Sequence, residues 1–181
     1  MKAMSHLLIL AALFSCVQLT GNQAFGSPGK TEVPTAENVD IKRFMGRWYS
    51  IASFPNYFER RCVDTNANYK LLKDGSVEVF NQCRQDSFDG PVMEAKGKAW
   101  LDDPENQAKL RVQFQWPFSA PYWIIYLDSS YQVAMTANPN REYLWILSRK
   151  RKISERKLAQ LIEIARQHGF DTSQLNRIPQ P

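Results

Sequence analysis

Three cysteines, two histidines and a handful of methionines are the residues of this 181-residue chain that could support nucleophilic, redox or metal chemistry. Their placement argues against most of it. His6 lies in a leader segment described below, which leaves His168 alone. A single remaining histidine weakens the case for a Ser-His-Asp relay, a Cys–His pair or a multi-histidine zinc site. No metal and no cofactor is expected. Cys62 and Cys83 form an even pair, and in an exported chain such a pair reads as a disulfide rather than as two buried thiols. Closing a loop of about 22 residues, the bridge would contribute about 3 kcal/mol. A thiol enzyme would need a free, activated cysteine. Met93 or Met135 could reduce a peroxide, although methionine in a core is ordinarily filler. The expectation is a protein without catalytic residues.

Export is read from the first 26 residues. Lys2 gives a positive start, Leu7-Leu8-Ile9-Leu10-Ala11-Ala12-Leu13-Phe14 an apolar core, and residues 20–26 a polar exit rich in small residues. The apolar stretch is too short for a stable membrane-spanning helix. Two processing routes fit. Cleavage after Gly26 would release a soluble chain starting at Ser27, in the periplasm. Alternatively, Leu13-Phe14-Ser15-Cys16 resembles a lipobox, so that residues 1–15 would be a lipoprotein signal and Cys16 an acylated anchor to the outer membrane. Removing residues 1–26 takes away Lys2 and no acid, so 22 basic residues face 18 acidic ones, a net charge of +4. The basic run Arg149-Lys150-Arg151-Lys152 could meet phosphate groups, or form a solvated loop before a helix. An exported chain does not meet nucleic acid, so none is expected as a partner. Anionic lipid head groups remain reasonable neighbours.

The elements that must position these residues are mainly strands. Residues 27–38 show no apolar periodicity and read as a linker. Asp40 can cap a short helical turn ending near Phe44, closed by Gly46. From residue 48 the chain becomes short runs rich in aromatic and β-branched residues: 48–54, 65–71, 77–81, 93–101, 109–116, 122–127, 132–137 and 143–148. Asp74-Gly75 suits the positive backbone angles of a tight two-residue hairpin turn. Residues 109–116 alternate most clearly, with even positions apolar. Eight short strands on short turns predict an all-β, up-and-down antiparallel barrel whose closure removes exposed edges. One helix follows, capped by Ser154 and stopped at His168-Gly169. Leu158, Leu161, Ile162 and Ala165 make one stripe, which should lie on the outside of the sheet.

An eight-stranded barrel can be filled by side chains or can hold one small ligand. Alternation places Ala67, Tyr69, Val79, Asn81, Leu110, Val112, Phe114, Trp116, Trp123, Ile125, Met135 and Trp145 on its inner face, either as plain filling or as a ligand-binding set. Tyr57, Arg60 and Arg61 could sit at the rim.

Four motifs in order resemble the lipocalin family. Gly46-Arg47-Trp48-Tyr49 is similar to the Gly-x-Trp signature at the entrance to the first strand. Tyr143-Leu144-Trp145-Ile146-Leu147-Ser148-Arg149 is similar to the strand that ends in the family's signature arginine. Between them, Ser119-Ala120-Pro121-Tyr122-Trp123-Ile124 and Asp128-x-x-Tyr131 resemble the subgroup of bacterial outer-membrane lipocalins and apolipoprotein D. The second signature is usually Thr-Asp-Tyr, so residues 127–131 carry a loop two residues longer. The resemblance covers residues 39–181. It implies a closed-bottom calyx in which Arg149 lies across the indole of Trp48, both structural with Gly46. It also implies fatty acids, phospholipids or lysophospholipids as ligands, carried or stored in the bacterial cell envelope. A myristoyl-length chain buried at ~0.8 kcal/mol per methylene gains roughly 10 kcal/mol before ordering costs, which makes micromolar binding reasonable. A tetrapyrrole or retinoid carrier, a lipid-modifying enzyme, and a solid-cored interaction module are the alternatives. A homodimer is compatible with any of them.

Overall fold

The computed structural model describes residues 32–181. The leader, Cys16 and the first residues of the expected linker lie outside the described residues. Residues 32–38 are seated against the barrel rather than trailing from it. Val33 is 1% exposed, Glu32 pairs with Lys109 at 2.8 Å, and the Ala36 N–H donates to the Ile124 carbonyl at 2.8 Å.

Strands β1 (Gly46–Ser53), β2 (Cys62–Leu71), β3 (Val77–Gln85), β4 (Val92–Leu101), β5 (Lys109–Gln115), β6 (Phe118–Leu127), β7 (Val133–Ala137) and β8 (Leu144–Ser148) follow one another around a single antiparallel sheet. Pairing of β1 with both β8 and β2 closes it into the expected eight-stranded barrel. A short helix, α1 (Ile41–Phe44), precedes β1, and its cap is the predicted Asp40, whose carboxylate accepts from the Lys42 N–H at 2.9 Å.

The β2–β3 hairpin differs in detail from expectation. Only Gly75 has a positive φ there, at 81°. The Leu72 N–H donates to the Ser76 carbonyl at 2.7 Å and the Gly75 N–H to the Leu72 carbonyl at 3.1 Å. This is a three-residue loop with glycine alone in the left-handed position, which spares Lys73 and Asp74 from adopting it.

Outside the barrel lies α2 (Glu155–Gln167). Ser154 Oγ caps it, accepting from the Lys157 N–H at 3.2 Å. Gly169, with φ of 80°, lets the chain reverse while the Phe170 N–H reaches back to the Ala165 carbonyl at 3.1 Å. Leu158, Leu161 and Ala165 are buried, and they meet Trp123, Ile125, Val133, Met135, Ala137 and Ile146 on the outer faces of β6, β7 and β8. A leucine buried as fully as Leu161 contributes roughly 1.5–3 kcal/mol.

A ninth strand was not anticipated. β9 (Asn176–Arg177) adds to β1 at Ala52 and Ser53, beyond Tyr49, the last β1 residue paired with β2. Beyond it, the Ile178 N–H donates to the Ile51 carbonyl and the Pro179 carbonyl accepts from the Asp64 N–H, both at 2.9 Å. Gln180 Nε2 bridges the carbonyls of Ser50 and Thr65 at 2.9 and 3.0 Å. The C-terminal tail thus stitches the seam that β1 and β2 leave open. Cys62 and Cys83 are bonded to each other, tying β2 to β3 at the same end of the barrel. Changing both to serine is expected to cost about 3 kcal/mol in denaturant unfolding while far-ultraviolet circular dichroism stays barrel-like. A loss below about 1 kcal/mol would mean that the strand pairing already holds this loop.

Candidate functional site

The floor of the barrel is built from the two ends of the motif series. Trp48 is 0% exposed, and its Nε1 donates to the Phe44 carbonyl at 2.8 Å. The Arg149 guanidinium lies 3.8 Å from the centroid of the Trp48 ring. It also donates to the carbonyls of Arg47 and Met45 at 2.8 Å, Arg43 at 3.0 Å, Phe44 at 3.1 Å and Tyr131 at 3.3 Å. A single cation therefore gathers the C-terminal carbonyls of α1, where positive charge is favoured. Gly46 has φ of 92°, and a β-carbon there would come within 3.3 Å of Arg149 Nη1, so both conformation and space call for glycine.

The longer β6–β7 loop keeps its tyrosine in the floor. Asp128 accepts from the N–H groups of Gln132 and Val133 at 2.7 and 2.6 Å. Tyr131, at φ of 58°, turns inward so that its hydroxyl accepts from the Asp40 N–H at 2.9 Å. Partial burial works against the charge on Asp128, but the Ser130 hydroxyl and three backbone N–H groups outweigh it and hold the carboxyl below its usual value.

Above this floor is a cavity of about 100 Å³. Of the expected inner set, Ala67, Tyr69, Val79, Asn81, Leu110, Val112, Phe114 and Trp145 line it. Ile41, Phe44, Met45, Val77, Ala99, Tyr122 and Leu147 complete the apolar wall, and Ser50, Glu59, Thr65 and Asn66 add polar groups. Aromatic rings run up through it, with Phe44 against Tyr69 at 5.6 Å, Tyr69 against Tyr122 at 6.3 Å and Tyr122 against Trp145 at 6.2 Å. The two tyrosine hydroxyls share a hydrogen bond of 2.7 Å. Burial pushes both phenols above their usual pKa and the Glu59 charge adds to the shift, so they stay neutral through the physiological range.

Four residues of the expected inner set are elsewhere. Trp123, Ile125 and Met135 point outward and pack under α2. Trp116 sits on the β5–β6 turn and is 83% exposed. The error at β6 and β7 is one of parity. Tyr122, Ile124 and Ala134 face the interior while Trp123, Met135 and Ala137 face the helix, so both faces are apolar and alternation has no contrast to read.

The sequence reading also missed Glu59, which folds over the mouth. The turn Tyr57–Glu59 is capped by Asn56, whose Oδ1 accepts from the Glu59 N–H at 3.0 Å. The Asn-x-x-Glu spacing of a helix start was the available signal.

Around the mouth, exposed apolar side chains cluster. Tyr57 and Phe58 rise from the β1–β2 loop, Phe88 from the β3–β4 loop, Val92 and Met93 from the start of β4, and Trp116 and Phe118 from the β5–β6 hairpin. Of the expected rim cations, Arg60 stacks over Tyr57 at 4.4 Å and Arg61 pairs with Asp86. The basic run divides in two. Arg149 serves the floor and Arg151 pairs with Asp64, whereas Lys150 and Lys152 face solvent.

A closed-floor, apolar calyx with a polar-spotted mouth defines a small-ligand-binding barrel, not a channel. Residues 39–180 match the family described as a lipocalin-like domain, and the chain belongs to the lipocalin family. It is 39% identical over 160 residues to temperature-induced lipocalin-1 of Arabidopsis thaliana, covering 83% of this chain and 84% of that protein. It is 37% identical over 149 residues to the outer membrane lipoprotein Blc of Escherichia coli strain K12, covering 82% and 84%. Apolipoprotein D of Mus musculus is 31% identical over 183 residues, covering 96% and 94%. The subgroup expected from the motifs is thus the one in which the chain falls.

Proposed function

We propose that this lipocalin binds one hydrocarbon chain of a lipid, a fatty acid, phospholipid or lysophospholipid, and stores or carries it in the cell envelope. The observation that carries this reading is the cavity. It is closed below by Trp48 and Arg149, walled by aliphatic and aromatic side chains, and entered past an apolar rim. Hydrocarbon gains free energy there by leaving water, and the exposed apolar side chains lower the cost of crossing the mouth. The space is narrow, below the few hundred Å³ of pockets for drug-sized ligands, which suits a slender chain better than a broad planar ring. A full acyl chain is larger than this space, so the ring of Phe114, half exposed at the mouth end of β5, moves aside as the chain enters. The envelope location draws support from the leader-like residues 1–26 and from a relative named as an outer membrane lipoprotein. An acylated Cys16 would place the barrel on a membrane by its N-terminal tether.

Native mass spectrometry of the protein isolated from its own envelope tests this reading. Co-purified lipid is the expected result and would name the ligand class. A barrel that arrives empty and then refuses both fatty acid and lysophospholipid would overturn it. Denaturing mass on the same sample separates a chain starting at Ser27 from one starting at acylated Cys16.

A further inference from the structure

We propose that Glu59 makes the cavity selective for the polar end of its ligand, favouring heads that donate hydrogen bonds or carry positive charge and disfavouring carboxylates. This inference rests on the lipid-chain reading above and adds a rule for the head group.

Among the described residues, Glu59 is the only one lining the cavity that bears a formal charge. It is not a swinging surface side chain. Its Oε2 accepts from Asn56 Nδ2 at 2.6 Å and from the Trp145 indole N–H at 2.9 Å, and its backbone N–H is held by Asn56 as well. Both side-chain donors address one oxygen. No donor among the described residues reaches Oε1. The carboxylate is therefore fixed at the mouth with unused acceptor capacity.

Deeper in the same wall, Asn81 Oδ1 and Thr65 Oγ1 are buried and have no hydrogen-bond partner among the described residues. Buried polar atoms without partners are costly, and a ligand that satisfies them recovers that cost. Asn81 Oδ1 accepts only, and the hydroxyl of Thr65 can accept. Asn81 Nδ2 and the Thr65 hydroxyl can also donate, so these two serve a polar head of either kind; the sign of the site is set by Glu59, since no lysine or arginine lines the cavity to balance it. The nearest rim cations are engaged, Arg60 over Tyr57 and Arg61 with Asp86. A carboxylate head brought to this mouth meets a fixed like charge in a partly desolvated site, where repulsion is far stronger than in water. A glycerol hydroxyl or an ammonium finds acceptors instead.

The test is isothermal titration calorimetry of lipid-free protein at neutral pH, with monomyristoylglycerol, myristylamine and myristate, three heads on a chain of one length. The expected result is that the glycerol ester and the amine bind at least about tenfold more tightly than myristate. In Glu59→Gln, which keeps an acceptor for Trp145 and Asn56, myristate tightens, the amine weakens and the gap closes. If Glu59 served only to hold the mouth in shape, Glu59→Gln would weaken all three ligands together and the ranking would persist, which overturns the proposal. Myristate binding as tightly as the others to the wild-type protein overturns it without any variant. Failure of all three to bind would remove the hydrocarbon-cavity reading itself, a result distinct from a lost ranking.

Discussion

Arg149→Met is expected to lower the unfolding free energy by about 3–5 kcal/mol. Methionine keeps much of the aliphatic stem over Trp48 but supplies no donor. The guanidinium reaches carbonyls of Arg43, Phe44, Met45, Arg47 and Tyr131, and hydrogen bonds from a charged donor contribute roughly 1.5–3 kcal/mol each before water recovers part of the loss. The stacking on Trp48 at 3.8 Å adds about 0.5–2 kcal/mol. Burial lowers the pKa of Arg149 from its ordinary value, yet an arginine stays charged at neutral pH, so these contacts are present throughout the physiological range. Lysine at the position would keep the charge but not the planar fork, and is expected to recover less than half of the loss. Urea unfolding followed by tryptophan fluorescence measures it. For a chain of this size the midpoint temperature should fall on the order of 10 °C. A loss below about 1 kcal/mol would show that α1 and Trp48 close the floor without the arginine.

The second large effect is on binding. Ala67→Phe is expected to move lipid affinity from micromolar to weaker than millimolar, about 4 kcal/mol. Ala67 faces the cavity from β2, in register with Trp48 on one side and Asn81 on the other. A benzyl group there occupies space in the cavity that a chain would take. Because it fills a void rather than displacing packed atoms, the stability change should stay within about 1–2 kcal/mol. Ile125→Val is the matched control. It trims a side chain on the outer face under α2, so it should cost about 0.5–1.5 kcal/mol in stability and leave binding unchanged. Retained binding in Ala67→Phe, or lost binding in Ile125→Val, would place the ligand outside this cavity.

The contrast between Ala67 and Ile125 also marks where the sequence was legible. On β5 the alternation of Lys109, Arg111 and Gln113 with Leu110, Val112 and Phe114 is unambiguous, because one face meets water, and the structure puts the apolar set in the cavity. On β2 the outward Asn68 and Lys70 give Ala67 and Tyr69 the same contrast, and these line the cavity; on β3, Val79 and Asn81 line it although Phe80 faces out between Glu78 and Gln82, so there the contrast is weaker. At β6 and β7 the rule lost its contrast. Trp123 and Tyr122 are adjacent and both apolar enough for a core, and the choice between them depends on α2, which comes some thirty residues later in the chain.

Local chemistry therefore settled the elements of this protein: eight strands, the capped helix, the glycine at the hairpin and the cysteine pair, while the family resemblance alone implied the Trp48–Arg149 floor. Each depends on residue type at short spacing or on a motif that resembles a family pattern. Tertiary structure decided everything that requires two distant segments to meet. It chose which face of β6 and β7 looks inward, laid the C-terminal tail into the seam between β1 and β2, and brought Glu59 against Trp145 across 86 positions of sequence. Periodicity reports which residues share a face of one strand, but only closure of the barrel and docking of the helix determine which of two apolar faces is the inside.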